Sequence, residues 1–105
     1  MKESPILRRI IVDLPRRLPG LVLWRNARGF DPRARQEYGL CPGASDLIGI
    51  YRGRFVAIEA KRSKGGHVEP AQRMFVALVL RCGGIAGVVR SVDEAASLFG
   101  QGSVT

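Results

Sequence analysis

The chain of 105 residues carries 17 Lys+Arg against 9 Asp+Glu, and its formal net charge of +8 gives a positive field that favours polyanionic partners. Its length suits one domain of roughly 100–150 residues and leaves no room for a second, and at 46% hydrophobic and 25% charged it is too apolar for disorder. Two cysteines exclude a disulfide-dense scaffold and a four-cysteine zinc site, and no apolar run approaches the roughly 18–20 residues of a membrane span.

The first expected element is a helix. Ser4 can cap it, Pro5 fits its first turn, and Ile6, Leu7, Ile10, Ile11 and Leu14 form one helical stripe. Arginines inside this apolar stretch argue against a secretory signal, so a cytoplasmic, reducing compartment is expected. Pro15 and Pro19-Gly20 are expected to end or kink the helix. Residues 21–25 read as a short strand. Residues 26–43 show no clean period and hold Arg28, Arg33, Arg35, Pro32 and Pro42, so they read as a long basic loop. Residues 45–51 and 54–61 read as a strand pair around an Arg52-Gly53 turn, followed by a polar, glycine-bearing loop over 63–68. Pro70 opens a helix through Arg81, with Met74, Leu78 and Cys82 on one side and Phe75 and Val79 beside them; Gly83-Gly84 stops it. Residues 85–90 read as a strand. Ser91 and Glu94 have capping-box spacing for a last helix to Phe99, and the tail from Gly100 is expected to fray. The order α-β-β-β-α-β-α predicts a single α/β domain, one sheet flanked by helices.

The hairpin concentrates the chemistry. A two-residue turn at Arg52-Gly53 sets Ile50 against Phe55, Ile48 against Ala57 and Asp46 against Glu59. Period-2 alternation then puts these six residues on one face, joined by Lys61. The other face carries Leu47, Val56 and Ile58, so the hairpin is expected to be buried on both sides. Two carboxylates directly opposite each other destabilise a sheet. A divalent cation offsets that repulsion, because Mg²⁺ takes one or two carboxylates together with waters and phosphate oxygens. Such an ion lowers the pKa of an attacking water, and Lys61 can orient that water or neutralise charge on a phosphate. The alternative is a structural ion pair in which Lys61 quiets the two acids.

Gly43-Ala44-Ser45-Asp46, followed by Glu59-Ala60-Lys61, resembles the PD-(D/E)XK nuclease signature. Further features are similar to the VRR-NUC branch of that superfamily, over about residues 3–99: the spacer at 47–53, Gln72 on the next helix, Gly83-Gly84-Ile85-Ala86, and Trp24-Arg25-Asn26 before the basic loop. The resemblance implies a restriction-endonuclease-like αβββαβ core and a Mg²⁺- or Mn²⁺-dependent hydrolase that cuts DNA phosphodiester bonds. It further implies a structure-specific endonuclease on branched DNA such as four-way junctions, working as a homodimer in a bacterial or phage-infected cytoplasm without a small-molecule cofactor. By the same resemblance Asp46 and Glu59 are catalytic metal ligands, the backbone carbonyl of Ala60 is another, and Glu3 on the first helix completes the metal shell. Lys61 is the catalytic lysine and Gln72 a supporting residue. Ser45 stands where the wider signature has proline, and the Val-Arg-Arg run stands here as Val89-Arg90-Ser91.

Arg25, Arg28, Arg33 and Arg35, with Arg62 and Lys64 past the lysine, are candidate phosphate contacts that would make nucleic-acid binding salt-dependent. A solvated charged loop is the alternative. Trp24 reads as core rather than a base-stacking platform. His67 reads as incidental, and Cys41 and Cys82, which lack ligand spacing, as buried or half-buried thiols. Glu69, Asp93 and Glu94 suit helix starts. The competing function is a non-catalytic basic nucleic-acid-binding module with a structural acidic pair; a subunit of a larger assembly is a third.

Overall fold

In the computed structural model, which describes residues 4–27, 29–41, 43–62 and 64–100, the first helix spans Pro5–Arg17 (α1). Ser4 caps it, its Oγ accepting the Leu7 N–H at 3.1 Å. The expected stripe is the buried face: Ile10 and Leu14 are fully enclosed, with Ile6, Leu7 and Ile11 packed around them. Pro15 does not end the helix. A proline in the last turn forfeits one intrahelical bond, the Leu18 N–H still donates to the Leu14 carbonyl at 3.0 Å, and burial of Leu14 holds the turn in place.

The remaining elements are β1 (Val22–Arg25), β2 (Gly29–Asp31), β3 (Gln36–Tyr38), β4 (Leu47–Tyr51), β5 (Arg54–Ala60), α2 (Pro70–Arg81), β6 (Ile85–Val89) and α3 (Val92–Gly100). Among the described residues a four-stranded mixed sheet has the order β1-β4-β5-β6. β1, β4 and β5 pair antiparallel, while β5 and β6 run parallel, and α2 supplies the crossover that a parallel pair requires. The fold is therefore α/β, as expected. The β4–β5 register is also the expected one, Ile50 opposite Phe55 and Ile48 opposite Ala57. Arg52 and Gly53 hold φ of 50° and 79°, the two positive values of a tight turn whose twist matches the strands.

Residues 26–43 depart from the expected loop. β2 and β3 pair as a separate two-stranded antiparallel sheet. Its turn is tied by the Asp31 carboxylate, which accepts the Arg33 N–H at 2.9 Å and the Ala34 N–H at 3.4 Å. Strands of three residues are too short to leave a period to detect. Gly100 closes α3 rather than opening the tail, and residues 101–105 lie outside the described residues.

One sheet face forms the main core. Leu47, Tyr51, Val56, Ile58 and Ala60 pack there against Ile10 and Leu14 of α1 and Ala95 and Phe99 of α3. The Tyr51 and Phe99 rings meet edge to face at 5.2 Å. On the other face α2 packs over β5 and β6, where Ala57, Val79 and Ala86 form a smaller cluster flanked by Phe75 and Val76. The β1–β4 side of that face is left open, with Val22, Trp24 and Ile50 47–51% exposed, and Phe55 of β5, opposite Ile50, is 41% exposed. The hairpin is thus not buried on both sides. The Met74, Leu78 and Cys82 side of α2 also looks outward, Met74 being 72% exposed. Alternation marks two apolar faces but does not say how much of one a single helix covers. β1 and β4 approach closely at Gly49, where a Cβ would lie 2.1 Å from the Val22 carbonyl oxygen.

Candidate active site

The antiparallel ladder continues past Leu47–Ile58 into a pair held by side chains. The Asp46 N–H donates to Glu59 Oε1 at 3.3 Å, and the Ala60 N–H donates to Asp46 Oδ2 at 3.2 Å. Glu59 lies two residues beyond Ala57, on the α2 face, and is only 1% exposed. Its Oε2 accepts a hydrogen bond from Gln72 Nε2 at 2.7 Å and lies 3.3 Å from Lys61 Nζ. The Gln72 amide is oriented by helix capping, since its Oε1 accepts the Glu69 N–H at 2.9 Å. The Lys61 backbone is fixed to β6 by its N–H to the Val89 carbonyl, 2.9 Å. Asp46 just before β4, Glu59 on β5, Lys61 just after it and Gln72 on α2 therefore converge.

Burial, and then the charge of Asp46, push the Glu59 carboxyl up from 4.5 to about 7, against the opposing pull of Lys61. The pair is a set of hard oxygen donors whose mutual repulsion Lys61 offsets only in part, which fits Mg²⁺ or Mn²⁺. Asp46 and Glu59 would hold the ion. The structure engages Ala60 through its N–H; its carbonyl as a ligand rests on the resemblance. Glu3 lies outside the described residues, and among those described no group of three or more His, Cys, Asp and Glu could hold a metal.

Two supporting residues were not anticipated. Asn26 anchors the segment that carries Asp46: its N–H donates to the Asp46 carbonyl at 2.8 Å and its Nδ2 to the Ser45 carbonyl at 3.2 Å, while its Oδ1 accepts the Leu40 N–H at 3.4 Å. Arg90 pins the loop after Lys61, its guanidinium donating to the carbonyls of Arg62, Gly65 and Gly66 at 2.6, 2.5 and 3.3 Å. The sequence marked both positions only as parts of motifs, Trp-Arg-Asn and the single arginine of Val89-Arg90-Ser91. The last capping box is shifted by one residue: Ser91 Oγ accepts the Glu94 N–H at 3.0 Å, but the Glu94 carboxylate reaches the Arg90 N–H at 2.8 Å.

The basic candidates are dispersed. Arg25, exposed at the end of β1, pairs with Leu47 and so lies at a register position of the opposite face from Asp46. Arg33 and Arg35 are exposed in the β2–β3 turn, and Arg62 and Lys64 in the loop following Lys61. Arg28 lies outside the described residues. Trp24 is not core; it is 51% exposed because α2 stops short of β1. His67 is exposed, 3.9 Å from the Glu69 carboxylate. Cys41 and Cys82 are exposed rather than buried, and line an apolar cleft of about 550 Å³ with Leu40, Phe55, Phe75 and Leu78. That cleft contains none of the four converging residues. Among the described residues its one charged group, Arg54, is committed to the carbonyls of Gly83 and Gly84 at 2.9 and 3.3 Å. The converging charged groups are therefore at the carboxylate pair, while the cleft holds the two exposed thiols. Beside them, the buried Ser45 Oγ has no hydrogen-bond partner among the described residues.

No described helix is long and apolar enough to cross a membrane. In comparisons with known proteins, the chain matches no family model and no curated sequence.

Proposed function

We propose that the chain is a metal-dependent nuclease of the VRR-NUC type that hydrolyses DNA phosphodiester bonds. The observation that carries this reading is the buried Glu59 carboxylate, bonded to the Asp46 N–H and flanked by Lys61 and Gln72. A divalent cation such as Mg²⁺ or Mn²⁺, when bound, supplies Lewis acidity to the phosphoryl group and an acidified water. Asp46 and Glu59 provide its carboxylate ligands. Lys61 Nζ sits beside Glu59, where it can hold the attacking water or neutralise charge that develops on the phosphate. Gln72 keeps the Glu59 carboxylate turned toward Lys61. Branched DNA, a homodimer with two such sites, and a bacterial or phage-infected cytoplasm belong to the same proposal.

One observation favours a second reading, the basic binding module. Both Glu59 oxygens already accept protein donors, as a purely structural acid would. Cleavage of labelled four-way junction, flap, single-stranded and linear duplex DNA, with Mg²⁺, Mn²⁺ or EDTA, separates the two. Metal-dependent cutting that is lost in Glu59→Ala and Lys61→Ala supports the nuclease. Salt-sensitive binding without cutting of any substrate overturns it in favour of the module.

A further inference from the structure

The open half of the α2 face carries the chain's one tryptophan beside the carboxylate pair. Trp24 pairs with Ile48, and paired residues of an antiparallel ladder share a face, so Trp24 lies on the face of Ile48, Ala57 and Glu59. Ile48 is two residues from Asp46, about 7 Å along the strand. The indole is therefore one strand over and one side-chain repeat away from the proposed cutting site. It is 51% exposed, and Val22 and Ile50 around it are exposed to a similar degree. The next residues on β1 are locked in place, because the Asn26 N–H holds the Asp46 carbonyl at 2.8 Å. Trp24 is thus at a fixed offset from Asp46.

We infer that Trp24 is a base-stacking subsite that takes one unpaired nucleotide adjacent to the scissile phosphate. The inference rests on the nuclease reading for the position of that phosphate. An indole offers a flat apolar face that every base can stack on. The net charge of +8 attracts the strand that carries the base, and the exposed Arg62 and Lys64 lie one and three residues past Lys61. A duplex keeps its bases stacked and paired, so the subsite selects single-stranded or splayed DNA close to the cut.

The test uses the intrinsic fluorescence of Trp24 in the full chain, in EDTA so that nothing is cleaved. Oligothymidylate, the same oligomer with abasic sites, and a blunt duplex are titrated, with binding followed in parallel by anisotropy of a labelled strand. Stacking predicts saturable quenching by oligothymidylate and much less by the abasic strand or the duplex. Trp24→Ala should weaken single-strand binding about 5- to 150-fold, the range for loss of one stacked base, and Trp24→Phe should recover part of it at unchanged thermal stability. Binding without a change in Trp24 fluorescence overturns the subsite. So does a fluorescence change with protein concentration alone, accompanied by dimer on sizing, which would mean that a second copy covers the indole. Quenching without cleavage under any metal would keep Trp24 as a stacking site but remove the nuclease, and with it the place of that site beside a scissile phosphate; cleavage without quenching would keep the nuclease and remove the subsite.

Discussion

Replacing Arg90 by methionine keeps an aliphatic stem and removes the guanidinium that holds the loop after Lys61. Three carbonyls, those of Arg62, Gly65 and Gly66, lose their donor. A hydrogen bond from a charged group contributes about 1.5–3 kcal/mol. The guanidinium is half-buried and its third contact is long, 3.3 Å. Two bonds at the low end give about 3 kcal/mol. At about 1.4 kcal/mol per tenfold, the ratio of docked to open loop falls by about 100. Gly65 and Gly66 do not replace that restraint, since they sit at φ of 72° and 75° and have many other conformations open to them. Arg62 and Lys64 are both trypsin sites, so limited digestion reads the opening directly. Cleavage of Arg90→Met after these residues should be about 30- to 100-fold faster than in the parent, with Arg90→Lys in between. A rate within about threefold of the parent, at equal thermal stability, would refute the restraint.

Gly49→Ala should lower the melting temperature by more than about 10 °C, because a Cβ 2.1 Å from the Val22 carbonyl forces β1 off β4; a change under about 2 °C in a thermal melt would contradict the close approach. The Glu59 carboxyl, raised from 4.5 to about 7 in the folded chain, holds its proton more tightly than in the unfolded chain. Its contribution to stability without metal is therefore greatest below the unfolded value, declines as pH rises toward about 7, and levels off above it. The melting temperature of the parent minus that of Glu59→Gln, measured across this range in EDTA, should fall accordingly, and a pH-independent difference would remove the shift. Mg²⁺ should raise the melting temperature of the parent more at pH 8 than at pH 5.5, since the ion binds the deprotonated pair. The same increments in Glu59→Gln would take Glu59 out of the metal site.

The parts of this molecule that could be read from the chain are those where a local rule has one solution. A two-residue turn at Arg52-Gly53 leaves one register, and that register brings Glu59 beside Asp46. Ser4, Pro5 and the stripe to Leu14 likewise admit one helix. What escaped depends on distant parts of the fold. Whether Trp24 is covered is decided by the lateral reach of α2, and Cys82 stays exposed while Val79 is the buried contact of α2. Arg90 meets its acceptors across 25 and 28 residues of sequence, a separation that no periodicity carries. The described side chains of the β2–β3 pair include no buried one, and so they lack the signal by which strands are recognised.

The tight turn between β4 and β5 makes the acidic pair a matter of parity. It acts as the zero of a ruler with two arms, and Asp46 and Glu59 are marks at equal distance along them, 13 residues apart in sequence. One residue added to or removed from either arm carries its acid through the sheet to the α1 side, where Leu47 and Ile58 now sit. Two residues taken from each arm shorten the hairpin, keep the turn and leave the acids opposite each other. The hairpin can therefore change length in evolution or by design only in matched, even steps.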